Sequence, residues 1–282
     1  MQQQTTIKYP AICYGIGVHS GKQVQVTLKP AKANEGVVFV RTDISADNYI
    51  KASYENVVET SYCTKISNQN LSVSTIEHLM AAIWGAGIDN LVVEVDGPEV
   101  PIMDGSSKPF VFLLECAQKQ FLRERKASIK ILKEVVAETC HGGYNIVYPS
   151  EEFNISLDID FQSNAIGKQT VNYSKRELFN SEVAPARTFG FVHEIEHLHK
   201  AGLALGASLD NAIGIDRDVI LNHDGLRFKD EFARHKLLDA LGDFALGGPN
   251  IIGEFKCYKP SHSLNNLLLH KIFANPNNYM II

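Results

Sequence analysis

The chain lacks any apolar run approaching the roughly 18 residues that a membrane span requires. It also lacks a basic surplus. A net charge of −5 argues against a nucleic-acid binder, which needs positive charge to neutralise phosphates. Cysteines are few, at positions 13, 63, 116, 140 and 257. Odd in number and without a C-x-x-C pair, they form neither a disulfide framework nor a zinc ribbon, and they suit a reducing compartment. The segment Met1 to Thr6 has neither the basic start nor the apolar core of a signal peptide. A soluble cytoplasmic protein is expected.

What the chain does have is the length for two ordinary domains, 282 residues with 45% apolar and 21% charged side chains. Alternating segments predict strands at 23–28, 36–40, 90–95, 129–138, 144–148, 153–159 and 251–258. Strands precede long helices in both halves, an α+β pattern without a residue-level repeat. The charge run Arg123-Glu124-Arg125-Lys126 is the candidate boundary, giving domains 1–125 and 126–282.

The richest stretch is Arg234-His235-Lys236-Leu237-Leu238-Asp239, in a helix predicted from about 229 to 246 and stopped by Gly247, Gly248 and Pro249. Leu237, Leu238, Leu241, Phe244 and Ala245 share one arc; His235, Asp239 and Asp243 form an i, i+4, i+8 stripe on another. Histidine and aspartate one turn apart can close on a metal or pair with each other. Alone, such a stripe reads as the solvated face of a helix.

A second helix is predicted from Ser74 to Trp84, opened by a capping box with Ser74 as N-cap and Glu77 three positions on. Glu77 then either satisfies the cap or stands as a general base beside a metal-ligating His78. The positive end of the helix dipole disfavours a charged His78, and a metal takes the neutral ring. His19, among Gly15, Gly17 and Gly21, reads as a surface turn residue, and His262, just ahead of a final helix, as a polar cap. His193-Glu194-Ile195-Glu196-His197 satisfies H-E-x-x-H. Its apolar face is Phe191, Ile195 and Leu198, which leaves both histidines on the wetted side; together with the resemblance described below, this makes the motif a surface feature.

Four sites taken together, Glu77-His78, Ala186-Arg187-Thr188-Phe189, Arg234-His235-Lys236 with Asp239, and His262-Ser263-Leu264-Asn265, resemble the UDP-3-O-acyl-N-acetylglucosamine deacetylases, zinc amidases of lipid A synthesis. The likeness spans nearly the whole chain, including Pro101-Ile102-Met103-Asp104-Gly105-Ser106 and Gly225-Leu226-Arg227-Phe228. It implies two similar domains, each a sheet with two helices, the helices packed together between the sheets. It also implies His78, His235 and Asp239 as metal ligands with a position left open for water, as catalytic zinc requires. Glu77 is then the base, Thr188 an oxyanion donor, Lys236 a nearby positive charge, and His262 the protonated partner of the leaving amine, held charged by Asp243.

The same resemblance assigns an insert near 189–215 to the acyl chain, lined by Phe189, Phe191, Ile195, Leu203, Ala204 and Leu209. It puts Asp160 and Phe161 at the uracil and Lys259 near the diphosphate. Ser261 stands where a glycine is often found before the histidine, implying a stiffer loop, and Gly206-Ala207 where two glycines are common, which bears on the tunnel's width. Cys63 falls beside the metal, where it is expected to take up excess zinc. The implied partner is a small UDP-linked acyl-sugar, bound by a monomer. His/His/Asp accepts Fe(II) as readily as Zn(II), so the cofactor is Zn2+ or Fe2+. Three rivals remain: a zinc peptidase on His193, Glu194 and His197, a non-haem Fe(II) oxygenase, and a structural protein with a closed metal site.

Overall fold

The structure is a computed structural model and describes residues 2–248 and 250–282; Met1 and Pro249, the latter part of the expected helix stop, lie outside the described residues. Two five-stranded sheets carry the fold. The first runs in the order Ala11–Ile16, Gln23–Pro30, Leu91–Val95, Val37–Arg41, Tyr49–Lys51. The second repeats that order with Val135–Glu138, Tyr144–Tyr148, Glu254–Tyr258, Asn154–Asp160 and Lys168–Tyr173. In each, one central pair is parallel, Val37 facing Leu91 and Asn154 facing Glu254, and the remaining pairs are antiparallel. The similarity of the two halves is therefore one of topology.

Among the described residues six α-helices follow in order: α1 Glu77–Ala86, α2 Lys108–Ala117, the single turn α3 Phe179–Glu182, α4 Val192–Lys200, α5 Glu231–Phe244 and α6 His262–Phe273. The α1 helix packs on α2 and α5, and α5 packs on α6 and the second sheet, so the long helices lie between the sheets as expected. Leu79, Met80, Ala81, Ala82, Ile83, Leu237, Leu238 and Leu241 are all buried at this layer, and each large apolar chain withdrawn from water contributes roughly 1.5–3 kcal/mol. Two glycines let backbones come close. A Cβ on Gly242 would lie 2.1 Å from the Glu77 carbonyl oxygen, and one on Gly85 would overlap the Phe179 ring. The α1 helix ends on Gly87 in the left-handed region, φ 64°, where glycine carries no Cβ penalty.

Several sequence expectations are corrected. The run 129–138 is two strands, Ile129–Ile131 and Val135–Glu138, and the run 251–258 breaks at Gly253. The helix expected at 229–246 is α5, continued by a 3-10 turn, Ala245–Gly247. No capping box opens α1: its cap is Ile76, and the Ser74 hydroxyl donates instead to the Pro98 carbonyl, because this segment is tied to the 98–100 chain before the helix begins. The charge run around 123–126, which remains the expected domain boundary, lies at the end of a strand, Lys119–Arg125, that pairs with Gln3–Ile7. Lys126 is drawn in to an ion pair 2.6 Å from Asp89.

Candidate metal centre and active site

The α5 stripe is not a solvated face. His235, Asp239 and Asp243 are all buried, because α5 is sandwiched between α1, α6 and the second sheet and has little wetted side. The first turn of α1 brings His78 to the same place. His78 Nε2 lies 3.5 Å and His235 Nε2 3.3 Å from Asp239 Oδ1. One ligating atom from each of His78, His235 and Asp239 lies within 4.8 Å of the others, and among the described residues no other three His, Cys, Asp or Glu groups do so.

Asp239 Oδ1 is buried with no hydrogen-bond partner, an expensive state that a cation relieves. His235 Nδ1 faces the Ala186 carbonyl at 3.1 Å, which leaves Nε2 free toward the centre. Burial holds His235 down at about 4, against the nearby Asp239, so its ring is neutral at pH 7, as a ligand must be. Burial would raise Asp239, yet His235 and Lys236 outweigh it and hold the carboxyl well below the ordinary range. The Lys236 ammonium sits 2.8 Å from Asp239 Oδ2; burial works against its charge, but Asp239, Asp243 and Glu77 raise its pKa. Donors of this kind, two neutral imidazoles and a carboxylate, fit a divalent transition metal.

Around this group lies a second layer. Glu77 Oε2 accepts from the Thr64 amide at 2.9 Å, so the carboxylate is held by a neighbouring loop and does not cap its own helix. Burial pushes its pKa up, with Asp239 and Asp243 adding to the effect and His262 and His78 opposing it. Its Oε1 stands 4.0 Å from His262 Nε2. His262 is not the cap of α6 either: Ser261 fills that position, accepting from the Leu264 amide, and His262 is the first helical residue. Its Nδ1 donates to Asp243 Oδ2 at 2.8 Å, and Asp243 also accepts from Asn265 at 2.8 Å and from the Thr64 hydroxyl at 2.5 Å. Burial opposes a charge on His262, but Asp243, then Glu77 and Asp239, lift it to about 9, so it is a cation near neutrality.

A cavity of about 400 Å3 opens from Glu77, His78 and Thr188. Thr188 is fixed by its amide on Gly105 and its carbonyl on Ile213, both 2.8 Å. The walls include Phe189, Ile195, Leu198, Ala204, Ala207, Leu209 and Ile213. Phe191 packs on Phe161 and His193, between Gly190 and Val192, which line the cavity, and Leu203 is half-buried beside the wall residue Ala204. Phe161 meets Phe189 edge-on at 5.6 Å, and Phe189 in turn meets His235 at 6.2 Å, so an aromatic chain links 161 to the centre. Lys259 lies 3.3 Å from Asp160, which also accepts from the Tyr258 hydroxyl.

Cys63 is buried outside the three-ligand group, and burial, then the Glu77 charge, pushes its thiol up to about 12. His193 and His197 are exposed on α4, as their wheel positions indicate. Sequence reasoning missed the roles of Thr64, Asn265 and Asn145, the last donating to Asn265 at 2.7 Å. For Asn265 a signal was present, one helical turn beyond His262; Thr64 and Asn145 carry none, since Thr64 arrives on a loop ahead of the strand Lys65–Asn68 and Asn145 on the strand Tyr144–Tyr148.

Fold and site together define an α+β protein built on two five-stranded sheets, with a buried His/His/Asp group that could hold a metal and, beside it, a carboxylate and a charged histidine, Glu77 and His78 lining an apolar cavity. The family model for UDP-3-O-acyl N-acetylglycosamine deacetylase, LpxC, matches residues 4–274, and the chain belongs to that family. Relatives called UDP-3-O-acyl-N-acetylglucosamine deacetylase are similar to it along nearly its whole length. That of Haemophilus influenzae (strain 86-028NP) is 47% identical over 98% of this chain and 91% of its own. That of Pasteurella multocida (strain Pm70) is 46% identical over the same shares. That of Syntrophotalea carbinolica is 45% identical over 100% of this chain and 91% of its own.

Proposed function

We propose that the chain hydrolyses the acetamide of UDP-3-O-(3-hydroxyacyl)-N-acetylglucosamine, releasing acetate and the free amine, the committed step of lipid A synthesis. The observation that carries this is the pairing of Glu77 and His262, 4.0 Å apart, beside three convergent metal ligands at the end of the cavity. A Zn2+ or Fe2+ ion held by His78, His235 and Asp239 supplies a Lewis acid and brings the pKa of water toward neutrality.

Glu77, its pKa raised by burial, takes the proton from the attacking water. As the carbonyl carbon becomes tetrahedral, the Thr188 hydroxyl donates to the developing oxyanion and Lys236 adds positive potential. The C–N bond then breaks. An amine leaves poorly as an anion, so His262, kept charged by Asp243, delivers the proton to nitrogen. The cavity accepts the acyl chain. Asp160, Phe161 and Lys259 receive the uridine diphosphate, where a point charge serves without a glycine-rich loop.

The reading includes a division into domains 1–125 and 126–282 and a monomer working in the cytoplasm. None of the described helices is long and apolar enough to cross a membrane. The peptidase reading is disfavoured by the exposure of His193 and His197, which form no three-ligand group among the described residues. Acetate release from UDP-3-O-acyl-GlcNAc is the test: it should stop on chelation and return with Zn2+ or Fe2+. Metal-independent release, or none with either ion, refutes the reading, and turnover that consumes oxygen favours an oxygenase.

A further inference from the structure

One wall of the acyl cavity is a seam between opposite halves of the chain. The turn at 17–21 comes from the first domain and the segment at 204–206 from the insert of the second. The Leu205 amide donates to the His19 carbonyl at 3.1 Å, and the Gly206 amide to the Val18 carbonyl at 3.0 Å. The Ala204 amide donates to His19 Nδ1 at 3.4 Å, while His199 Nε2 donates to the Ala204 carbonyl at 3.1 Å. Ala204 is thereby fixed from both sides in the left-handed region, φ 56°, which alanine avoids without such ties. The fit is tight: a Cβ on Gly206 would lie 2.3 Å from the Gly17 carbonyl oxygen. Val18, His19, Ala204 and Ala207 all face the cavity.

The turn has its own anchor, and that anchor reaches the catalytic helix. Glu99 is buried and accepts from the His19 amide at 2.8 Å, the Ser20 amide at 2.9 Å and the Thr75 hydroxyl at 3.2 Å. Thr75 lies two residues ahead of Glu77. Gly17 is required here as well, since a Cβ would fall 2.2 Å from Glu99 Oε2. Burial holds the His19 pKa below its ordinary value, against the charge of Glu99, and the Ala204 amide aimed at Nδ1 makes that nitrogen the acceptor. His19 is therefore half-buried structure and not the surface turn residue its glycine-rich neighbourhood suggests.

We propose that His19, held by Glu99, is a specificity-determining residue that fixes this wall and so limits which acyl chains the cavity admits. The inference rests on the deacetylase reading. Its test is kcat/KM over a series of UDP-3-O-(3-hydroxyacyl)-GlcNAc substrates of increasing chain length. One methylene in an apolar pocket changes kcat/KM by about tenfold or more. His19→Ala, and by a separate route Gly206→Ala, should move the long-to-short ratio toward longer chains by about tenfold, with KM changing more than kcat. His19→Asn, whose Oδ1 can replace Nδ1 as acceptor, should keep the wild-type ratio. Length profiles of His19→Ala and Gly206→Ala that superpose on wild type overturn the inference and leave the deacetylase reading standing, as does a His19→Asn profile shifted as far as that of His19→Ala. A wild-type protein that releases no acetate at any length takes both down.

Discussion

Gly242→Ala is a change of one methyl group, at the crossing of the two helices that carry the site, that should disable it. The new Cβ would lie 2.1 Å from the Glu77 carbonyl oxygen, 2.9 Å from its carbon and 3.2 Å from the Ala81 nitrogen, all backbone atoms that no rotamer change can move. A carbon and a carbonyl oxygen in contact sit about 3.3–3.6 Å apart, so α1 and α5 must separate by roughly 1.2–1.5 Å at this point. Both helices carry the site, Glu77 and His78 on one and His235 and Asp239 on the other, so the separation falls directly on the ligand group. A misplacement of about 1 Å costs on the order of 100-fold in rate, and overpacking costs about 1–3 kcal/mol, or a few degrees in Tm for a chain of this size. Steady-state acetate release, metal content and a thermal melt read the three effects. A variant with wild-type rate, metal content and Tm would refute the claim that this crossing sets the site's geometry.

Asp243→Asn removes the charge that holds His262 near 9, so its pKa falls toward the ordinary 6.5, and the alkaline limb of the pH–rate profile should move down with it. Because the folded pKa of His262 is raised, its contribution to stability is complete below 6.5 and is lost as pH rises through about 9; in the variant, Tm should lose that dependence. Thr64→Val strands Asp243 Oδ1 in the interior, since that oxygen takes the Thr64 hydroxyl at 2.5 Å; a loss of about 1–3 kcal/mol in urea unfolding is expected. The paired change His193→Ala with His197→Ala should leave acetate release and metal content as in wild type, because both side chains are exposed. Loss of activity there would revive the peptidase.

The legible part of the site was the part written at helical spacing. His235, Asp239 and Asp243 declare themselves at i, i+4 and i+8, and α5 formed within two residues of its expected bounds. Whether that stripe was wet or buried is a tertiary fact, because it depends on α1 and α6 packing over it. That His78 meets the stripe has no local signature; residue patterns alone left Glu77 balanced between cap and base, and the family resemblance supplied the meeting. The capping pattern misled because Ser74 is drawn into pairing with the 98–100 chain and Thr75 turns into the left-handed region, φ 57°, before α1 starts. The break at Gly253 had its signal in the glycine itself, whereas Leu132, Lys133 and Glu134, between the other two strands, include no Gly, Pro, Asn or Asp to mark a turn.

The central claim separates ion-holding from proton-handling: His78, His235 and Asp239 do the first and Glu77 the second. Metal analysis of Glu77→Ala and Asp239→Ala, alongside single-turnover acetate release, tests that division most directly. Glu77→Ala should carry wild-type metal and release almost no acetate, whereas Asp239→Ala should lose both. Full turnover by Glu77→Ala, or an Asp239→Ala protein that keeps its ion, would contradict it.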